Sequence, residues 1–497
     1  MWLIVVVVVL TLLYYLIQRN YSYWSKKGVP GPKPKFLIGN FGDSFIGKRS
    51  SGEIVTDIYR EYENYPFVGF YKATTPNLLV RDPEFVKRVM VSDFKHFQNN
   101  DINVDKDSDP IGGRNPFVLR GVEWKNKRAQ LTGCFTSGKI KAMYYFLEHT
   151  SKRMVKYVED EIKISEPLEA REVCVRYTLD NIAVCAFGVD GKSFDEPFSE
   201  FRDLAEKFMS PANLINKLKL WLVFNFPAVT EYIKLKVVPH EVESRLLELI
   251  TKTLKYRREN NIVRNDFLDV CTRLETESGR FTEIDIAAHG ASFFIDGYET
   301  SSRVMNFLLF ELAANPKAQQ TLREELNESF EKNGNTFTYE ALHDLPFLDA
   351  CLKESMRKNS PMHNLSKVCT EDYTYTSTDP DFKNLTVQLK VGDRIAIPVI
   401  GLQMDSKYFD EPDNFVPERF LNKDDIQRYT YLPFGEGPRI CLGQRFAVTQ
   451  IKTGIAYLIK NFQCTVNSKT QLPLKFDPYF FMNDVVGGIW IDFKKIM

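Results

Sequence analysis

The sequence contains no CxxC or CxxH pair. Its eight cysteines, at 134, 174, 185, 271, 351, 369, 441 and 464, are scattered along 497 residues. That spacing argues against a zinc site and against a small disulfide scaffold, and leaves reduced thiols facing the cytosol as the plain reading. Net charge is also missing: 65 basic residues balance 65 acidic ones. Nothing global steers the chain toward nucleic acid. Histidine is sparse. The six, at 96, 149, 240, 289, 343 and 363, sit mostly among polar neighbours, which suits surface or partly buried roles. No low-complexity linker, charge block or internal repeat divides residues 36–497, so one large domain is expected. What is abundant is core material, with 38 Phe and 23 Tyr in a chain that is 44% hydrophobic.

Trp2 to Ile17 is almost wholly apolar. As a helix it spans about 24 Å, a little short of the hydrocarbon core of a bilayer. Tyr14, Tyr15, Tyr21, Tyr23 and Trp24 suit the interfacial belt. No Lys or Arg precedes the run, while Arg19, Lys26 and Lys27 follow it. The positive-inside rule then puts the rest of the protein in the cytoplasm. A cleaved signal peptide is the alternative, but there is no small-residue cleavage site and no basic start. Residues 1–20 read as an anchor helix and 21–35 as a basic, proline-rich hinge. Within that hinge, Gly28-Val-Pro-Gly-Pro-Lys-Pro34 favours an extended, stiff spacer.

Beyond it, Val68–Tyr71 and Asn77–Val80 read as a hairpin, and Asp82-Pro83 caps a helix. Helical periodicity covers 139–163, 197–209, 240–260, 282–314, 316–332, 345–358 and 442–461. Residues 373–400 turn strand-like. The expected fold is mainly α, with small sheets at both ends of the sequence. In 211–239, Trp221, Leu222, Val223, Phe224, Phe226 and Pro227 cluster between Lys217, Lys219, Lys234 and Lys236. An ordinary buried helix pair and a second surface dipping into the membrane both fit that pattern.

The segment PFGEGPRICLGQRFA, 433–447, places Cys441 after an irregular glycine-rich loop and at a helix entry. Backbone amides, the helix dipole and Arg439 there would favour a thiolate, and a buried structural cysteine is the alternative. Phe434, Gly437, Arg439, Cys441 and Gly443 together resemble the haem-binding signature of the cytochrome P-450 family. Glu354-Ser-Met-Arg357, Pro417-Glu-Arg-Phe420, Trp124-Lys-Asn-Lys-Arg128 and Gly297-Tyr-Glu-Thr300 resemble four further motifs of that family, in its order and at its distances. The likeness is nearest to microsomal eukaryotic members, particularly insect detoxification types.

The resemblance implies a P-450 fold over 36–497, with haem bound by Cys441 as axial thiolate. Trp124, Arg128, Arg439 and Lys367 would serve the propionates. Many relatives have Arg where this chain has Lys367, which supplies charge but not a bidentate fork. Glu354 and Arg357 would form a buried structural network with Arg419.

The stretch FFIDGYETSS, 293–302, needs both readings. Asp285, His289, Ser292, Asp296, Glu299 and Arg303 follow 3,4 spacing, which suits the wet face of an amphipathic helix. The resemblance instead makes Thr300 the hydrogen-bond donor in dioxygen activation. Glu299 would carry protons inward, and Gly297 would leave the oxygen pocket clear. Asp296 stands where relatives usually have Ala or Gly. Fatty-acid-hydroxylating relatives carry Glu there, esterified to a haem methyl. Asp296 is therefore expected either to form such an ester or to stay free and pair with cationic substrates or Arg303. Phe117, Phe293, Phe294, Leu365 and Phe481 are expected to touch substrate, with the 362–366 turn contributing.

The function so implied is a membrane-bound monooxygenase using O2. Electrons would come from NADPH through a flavoprotein reductase, with cytochrome b5 a second possible donor. The reductase would dock near Arg445 and the lysines of the Trp124–Arg128 helix. Lipophilic small molecules would be the substrates: xenobiotics, or endogenous fatty acids, hormones or terpenoids. The endoplasmic reticulum membrane is the implied site, with the catalytic domain on its cytoplasmic face. A haem-thiolate isomerase or dehydratase and a non-catalytic haem binder are the rival classes.

Overall fold

The computed structural model describes residues 2–496 apart from 165–166, 197–198, 210–212, 265, 279–281 and 423–424. Helices dominate, and the longest, Glu283–Ala314, is the spine. A reciprocal cap starts it. The Thr282 hydroxyl accepts from the Asp285 N–H, and the Asp285 carboxylate accepts from the Thr282 N–H. At 32 residues it is about 48 Å long. The helices Ala170–Ile182, His240–Glu259, Pro346–Lys358 and Gln444–Asn461 pack around it.

Six of the helices expected from periodicity are found within a few residues of their expected bounds, as Ser137–Glu161, Glu200–Met209, His240–Glu259, Pro316–Lys332, Pro346–Lys358 and Gln444–Asn461. Residues 197–198 of one expected span lie outside the described residues. Ala170–Ile182 escapes a periodicity search for a physical reason. It is buried nearly all round, so it has no polar stripe to set a period.

Five strands form the main sheet, in the order Phe67–Lys72, Thr75–Val80, Arg394–Pro398, Asn364–Val368, Asn99–Asn100. The hairpin is antiparallel, with Phe67 opposite Val80. Thr75–Val80 then runs parallel to Arg394–Pro398, a pairing that closes some 300 residues of chain. Two corrections follow. Residues 364–366 belong to a strand, not a turn, because Asn364–Val368 pairs antiparallel with Arg394–Pro398. Strand character ends at Pro398, where a short helix, Val399–Gln403, begins.

The apolar N-terminal helix runs on to Tyr21 and buries no side chain. Twenty residues span about 30 Å, the thickness of a bilayer core. The proline-rich segment is not a free spacer. Trp24 is buried against Gly69, Pro30 accepts from the Gly69 N–H at 2.7 Å, and the Tyr23 hydroxyl donates to Asp393. A Cβ on Gly31 would lie 1.8 Å from the Gly69 oxygen, so only glycine permits that approach.

Residues 213–233 form two helices, Leu214–Asn225 and Pro227–Ile233; 211–212 lie outside the described residues. Trp221, Val223, Phe226 and Pro227 face inward, so most of the cluster read from sequence is core. Leu214, Ile215, Leu218, Val229, Tyr232 and Ile233 are the outward apolar residues. Lys217 and Lys236 pair with Asp477 and Glu243, at 2.7 and 2.6 Å.

Glu354 and Arg357 are fully buried and bonded twice, at 2.7 and 2.8 Å. Arg419 and the Val416 N–H also donate to Glu354. Arg357 donates to the carbonyls of Gln403, Pro412 and Asn414. The pair thus pins the irregular 403–419 segment to a helix. Glu354→Ala strands two guanidiniums in a dry site. It is expected to cost about 3–5 kcal/mol in denaturant unfolding.

Candidate active site

Cys441 lies in the loop before the Gln444–Asn461 helix, and its N–H donates to the Phe434 carbonyl at 2.9 Å. Gly437 makes the loop possible. Its φ is +70°, and an added Cβ would sit 2.0 Å from the Met90 oxygen. Burial pushes the Cys441 thiol up and Asp296 adds to this, while backbone N–H groups of Gly443 and Gln444 and the Arg128 charge pull it down. Cys441 is nonetheless exposed. A deep-set sulfur that shows surface faces internal space, and amides aimed at it favour its thiolate.

Above this loop, positive charge accumulates. Arg439 stacks over Trp124, 4.1 Å from ring centre to guanidinium. It donates to the carbonyls of Gln98 and Leu119. Burial, then Arg128 and Arg120, push it down to about 9. Lys367 is buried, donates to the Asn100 side-chain oxygen at 2.8 Å, and is pushed down to about 7 by burial and by Arg439. Arg128 donates to the Ile440 carbonyl and Arg120 to that of Ile102. Their named partners are carbonyl oxygens, and no carboxylate stands among them. Arg439 and Lys367, each depressed by burial and by a neighbouring cation, call for an anion. A flat dianionic group ligated by sulfur fits this cradle, which is the chemistry of haem with its two propionates. Arg120 carries no motif and was missed in the sequence.

The central helix presents two chemistries on two faces. Thr300 donates to the Asp296 carbonyl at 2.6 Å. Asp296 shows accessible surface although protein encloses it, so it too lines internal space; burial raises its carboxyl to about 6. It accepts from the Asn115 amide at 2.9 Å. It does not meet Arg303, which pairs instead with Glu299 at 2.6 Å and Asp484 at 2.8 Å. Glu299 is fully buried and also pairs with Arg171 at 2.8 Å. It points into this arginine cluster rather than toward Thr300, since adjacent helical residues diverge by about 100°. Gly297 serves packing. An added Cβ would lie 2.6 Å from Ile182 Cδ1, at the crossing with the Ala170–Ile182 helix.

A family match settles what the cradle and helix suggest. Residues 29–486 match the family described as Cytochrome P450. "Cytochrome P450 6j1" of Blattella germanica is 33% identical, over 97% of this chain and 95% of its own. "Probable cytochrome P450 28a5" of Drosophila melanogaster is 34% identical, over 99% of both. The chain belongs to the cytochrome P450 family. It is a haem-thiolate monooxygenase, and its relatives named here are insect proteins, as the motifs implied.

In this P450 the residues expected at substrate divide. Phe293 packs edge-on against Phe135 and Phe446, and Phe294 packs against Phe201 and Tyr298. Both rings are core, because neighbouring helices supply aromatic partners. Leu365 is half-buried, its Cδ1 within 3.7 Å of where a Gly435 Cβ would stand. Phe481 stacks on Phe224 at 4.2 Å, and Phe117 lies 6.4 Å from Phe224. Phe224 thus joins the two rings, in keeping with the buried-helix reading of its segment.

An anion beside Lys367 restores its proton. The folded value of about 7 lies below the ordinary 10.5, so between those limits burial and Arg439 disfavour the charged form. Haem loading at pH 8, which also releases the Cys441 thiol proton, is expected to take up about one proton more in wild type than in Lys367→Met. Loading heats measured in two buffers of different ionisation enthalpy report it.

Proposed function

We propose that this P450 works at a membrane, held by the Trp2–Tyr21 helix, and oxidises lipophilic small molecules. One oxygen atom of O2 enters the substrate and the other leaves as water. Electrons come from NADPH through a flavoprotein reductase, with cytochrome b5 a further candidate donor. Haem held by Cys441 supplies the activation of O2. The observation that carries this reading is the acid-free cluster of Arg120, Arg128, Arg439 and Lys367 over the amide-cradled Cys441.

The chain's own residues divide the work. Arg128, Arg439 and Lys367 hold the propionates, and Trp124 braces Arg439 from below. Thr300 holds a hydroxyl proton at the cavity wall, parked on the Asp296 carbonyl and released by rotation about χ1. Glu299, turned away from Thr300 on the helix, is the candidate for carrying protons inward from solvent. Arg171, which pairs with Glu299, lines a surface cleft with Glu169 and Asp484. The cluster thus links solvent to the turn that carries Thr300.

Membrane contact extends past the anchor. Phe36, Leu37, Ile46, Leu214, Ile215, Tyr232 and Ile233 are exposed. Phe36 packs on Tyr14 of the anchor helix at 5.5 Å, and Phe45 on Phe226 at 5.0 Å. The Phe36–Tyr14 contact supports reading this apolar surface as continuous with the anchor. The endoplasmic reticulum, with the body on its cytoplasmic face, is the compartment proposed.

The test is NADPH consumption and product formation with added reductase across lipophilic candidates, beside a carbon-monoxide difference spectrum. Thr300→Ala is expected to keep the spectrum and lose roughly 10²-fold in product formation. Unchanged product formation removes Thr300 from proton delivery.

A further inference from the structure

The carboxylate of Asp296 is the group the haem-thiolate chemistry does not use. Among the described residues it accepts from the Asn115 amide, at 2.9 Å. An aspartate has acceptor capacity for about four hydrogens, so one neutral amide leaves acceptor positions open toward the internal space it faces. The cations nearest it along the helix are engaged elsewhere. Arg303 is held by Glu299 and Asp484, and Arg114 and Lys127 by Asp285.

Asn115 does a second thing. Its side-chain oxygen accepts from the Phe117 N–H at 2.8 Å, so one amide fixes both the carboxylate and the backbone of Phe117. The Phe117 carbonyl in turn accepts from Asn100 at 2.9 Å, and Asn100 accepts from Lys367 at 2.8 Å. The ring of Phe117 opens the aromatic wall that Phe224 and Phe481 continue. A carboxylate and an aromatic surface, from segments about 180 residues apart, are thereby fastened at a set separation.

We propose that Asp296 anchors a cationic ammonium group of the substrate, whose lipophilic body lies on Phe117, Phe224 and Phe481. This names a substrate class within the monooxygenase reading above and rests on it. Burial raises the Asp296 carboxyl only to about 6, so at neutral pH the group is a carboxylate. An ammonium would satisfy its open acceptor positions, and the aromatic faces favour a cation with hydrocarbon around it. Asp296 sits one helical turn before Thr300, so an anchored amine presents its neighbouring carbons to the reacting end of the pocket.

The probe is a matched pair: a phenylalkyl-trimethylammonium ion, and the neutral hydrocarbon with a tert-butyl group in its place. The quaternary nitrogen has no lone pair to ligate iron, and its charge does not change with pH. Equilibrium dialysis against full-length holoprotein gives the ratio of the two affinities within each protein, so a general loss of folded material cancels. Wild type is expected to favour the cation by about tenfold or more. Asp296→Asn is expected to bring the ratio to about one, and Asp296→Glu to restore part of it. Equal binding of the pair by wild type, or an unchanged preference in Asp296→Asn, overturns the proposal. So does haem that resists extraction by acidified organic solvent in wild type but not in Asp296→Asn, since an ester would consume the carboxylate. A missing carbon-monoxide spectrum would instead count against haem-thiolate ligation, and the dialysis ratio still reports on Asp296.

Discussion

Positive charge with no acidic partner among the described residues is what the rest of this molecule is arranged around. Arg120, Arg128, Arg439 and Lys367 come from three separated stretches of chain, and burial weighs against the charged forms of Arg439 and Lys367. Carbonyl oxygens of Gln98, Ile102, Leu119 and Ile440 hold them in place but leave their charge unneutralised. Folding therefore stores an anion requirement directly over Cys441. The sheet serves the same end, because the strand Asn364–Val368 carries Lys367 and pairs beside Asn99–Asn100, whose Asn100 receives its ammonium.

The central helix turns one run of residues into two environments. Glu299 faces inward to Arg171 and Arg303, where it ties three segments of the chain together. Asp296 and Thr300, a turn apart, face open space. Gly297 lies between them in sequence but serves neither. Its bare backbone lets the Ala170–Ile182 helix approach, which is how Arg171, near the start of that helix, comes within reach of Glu299. The two acids share residue class and differ in role because their partners differ.

A polar strap joins the two regions. Lys367, Asn100, Phe117, Asn115 and Asp296 are linked in order by hydrogen bonds of 2.8–2.9 Å. The strap crosses from the Lys367 strand to the helix bearing Thr300. Whatever occupies the Lys367 site thus bears on the position of Phe117, and so on the aromatic wall. Such coupling needs no long-range motion, since each link is a direct contact.

The sequence by itself determined the family, the thiolate residue and the helical frame. Those features depend on local spacing: a glycine-rich loop before Cys441, Glu354 and Arg357 at i, i+3, and apolar repeats of helical period. Gly437 had to be glycine for a reason confined to its own loop and Met90. Only the tertiary structure decided partners. Glu299 looked like a neighbour of Thr300 and became a ligand of two arginines. Phe293 and Phe294 looked like pocket walls and became core. Phe224 fitted either a buried helix pair or a membrane surface, and packs half-buried against Phe481. Arg120 bore no motif and joined the cradle. In each case the deciding contact lies far away in the chain. Side-chain direction and the charge of a distant neighbour are set by packing, and no local pattern encodes them.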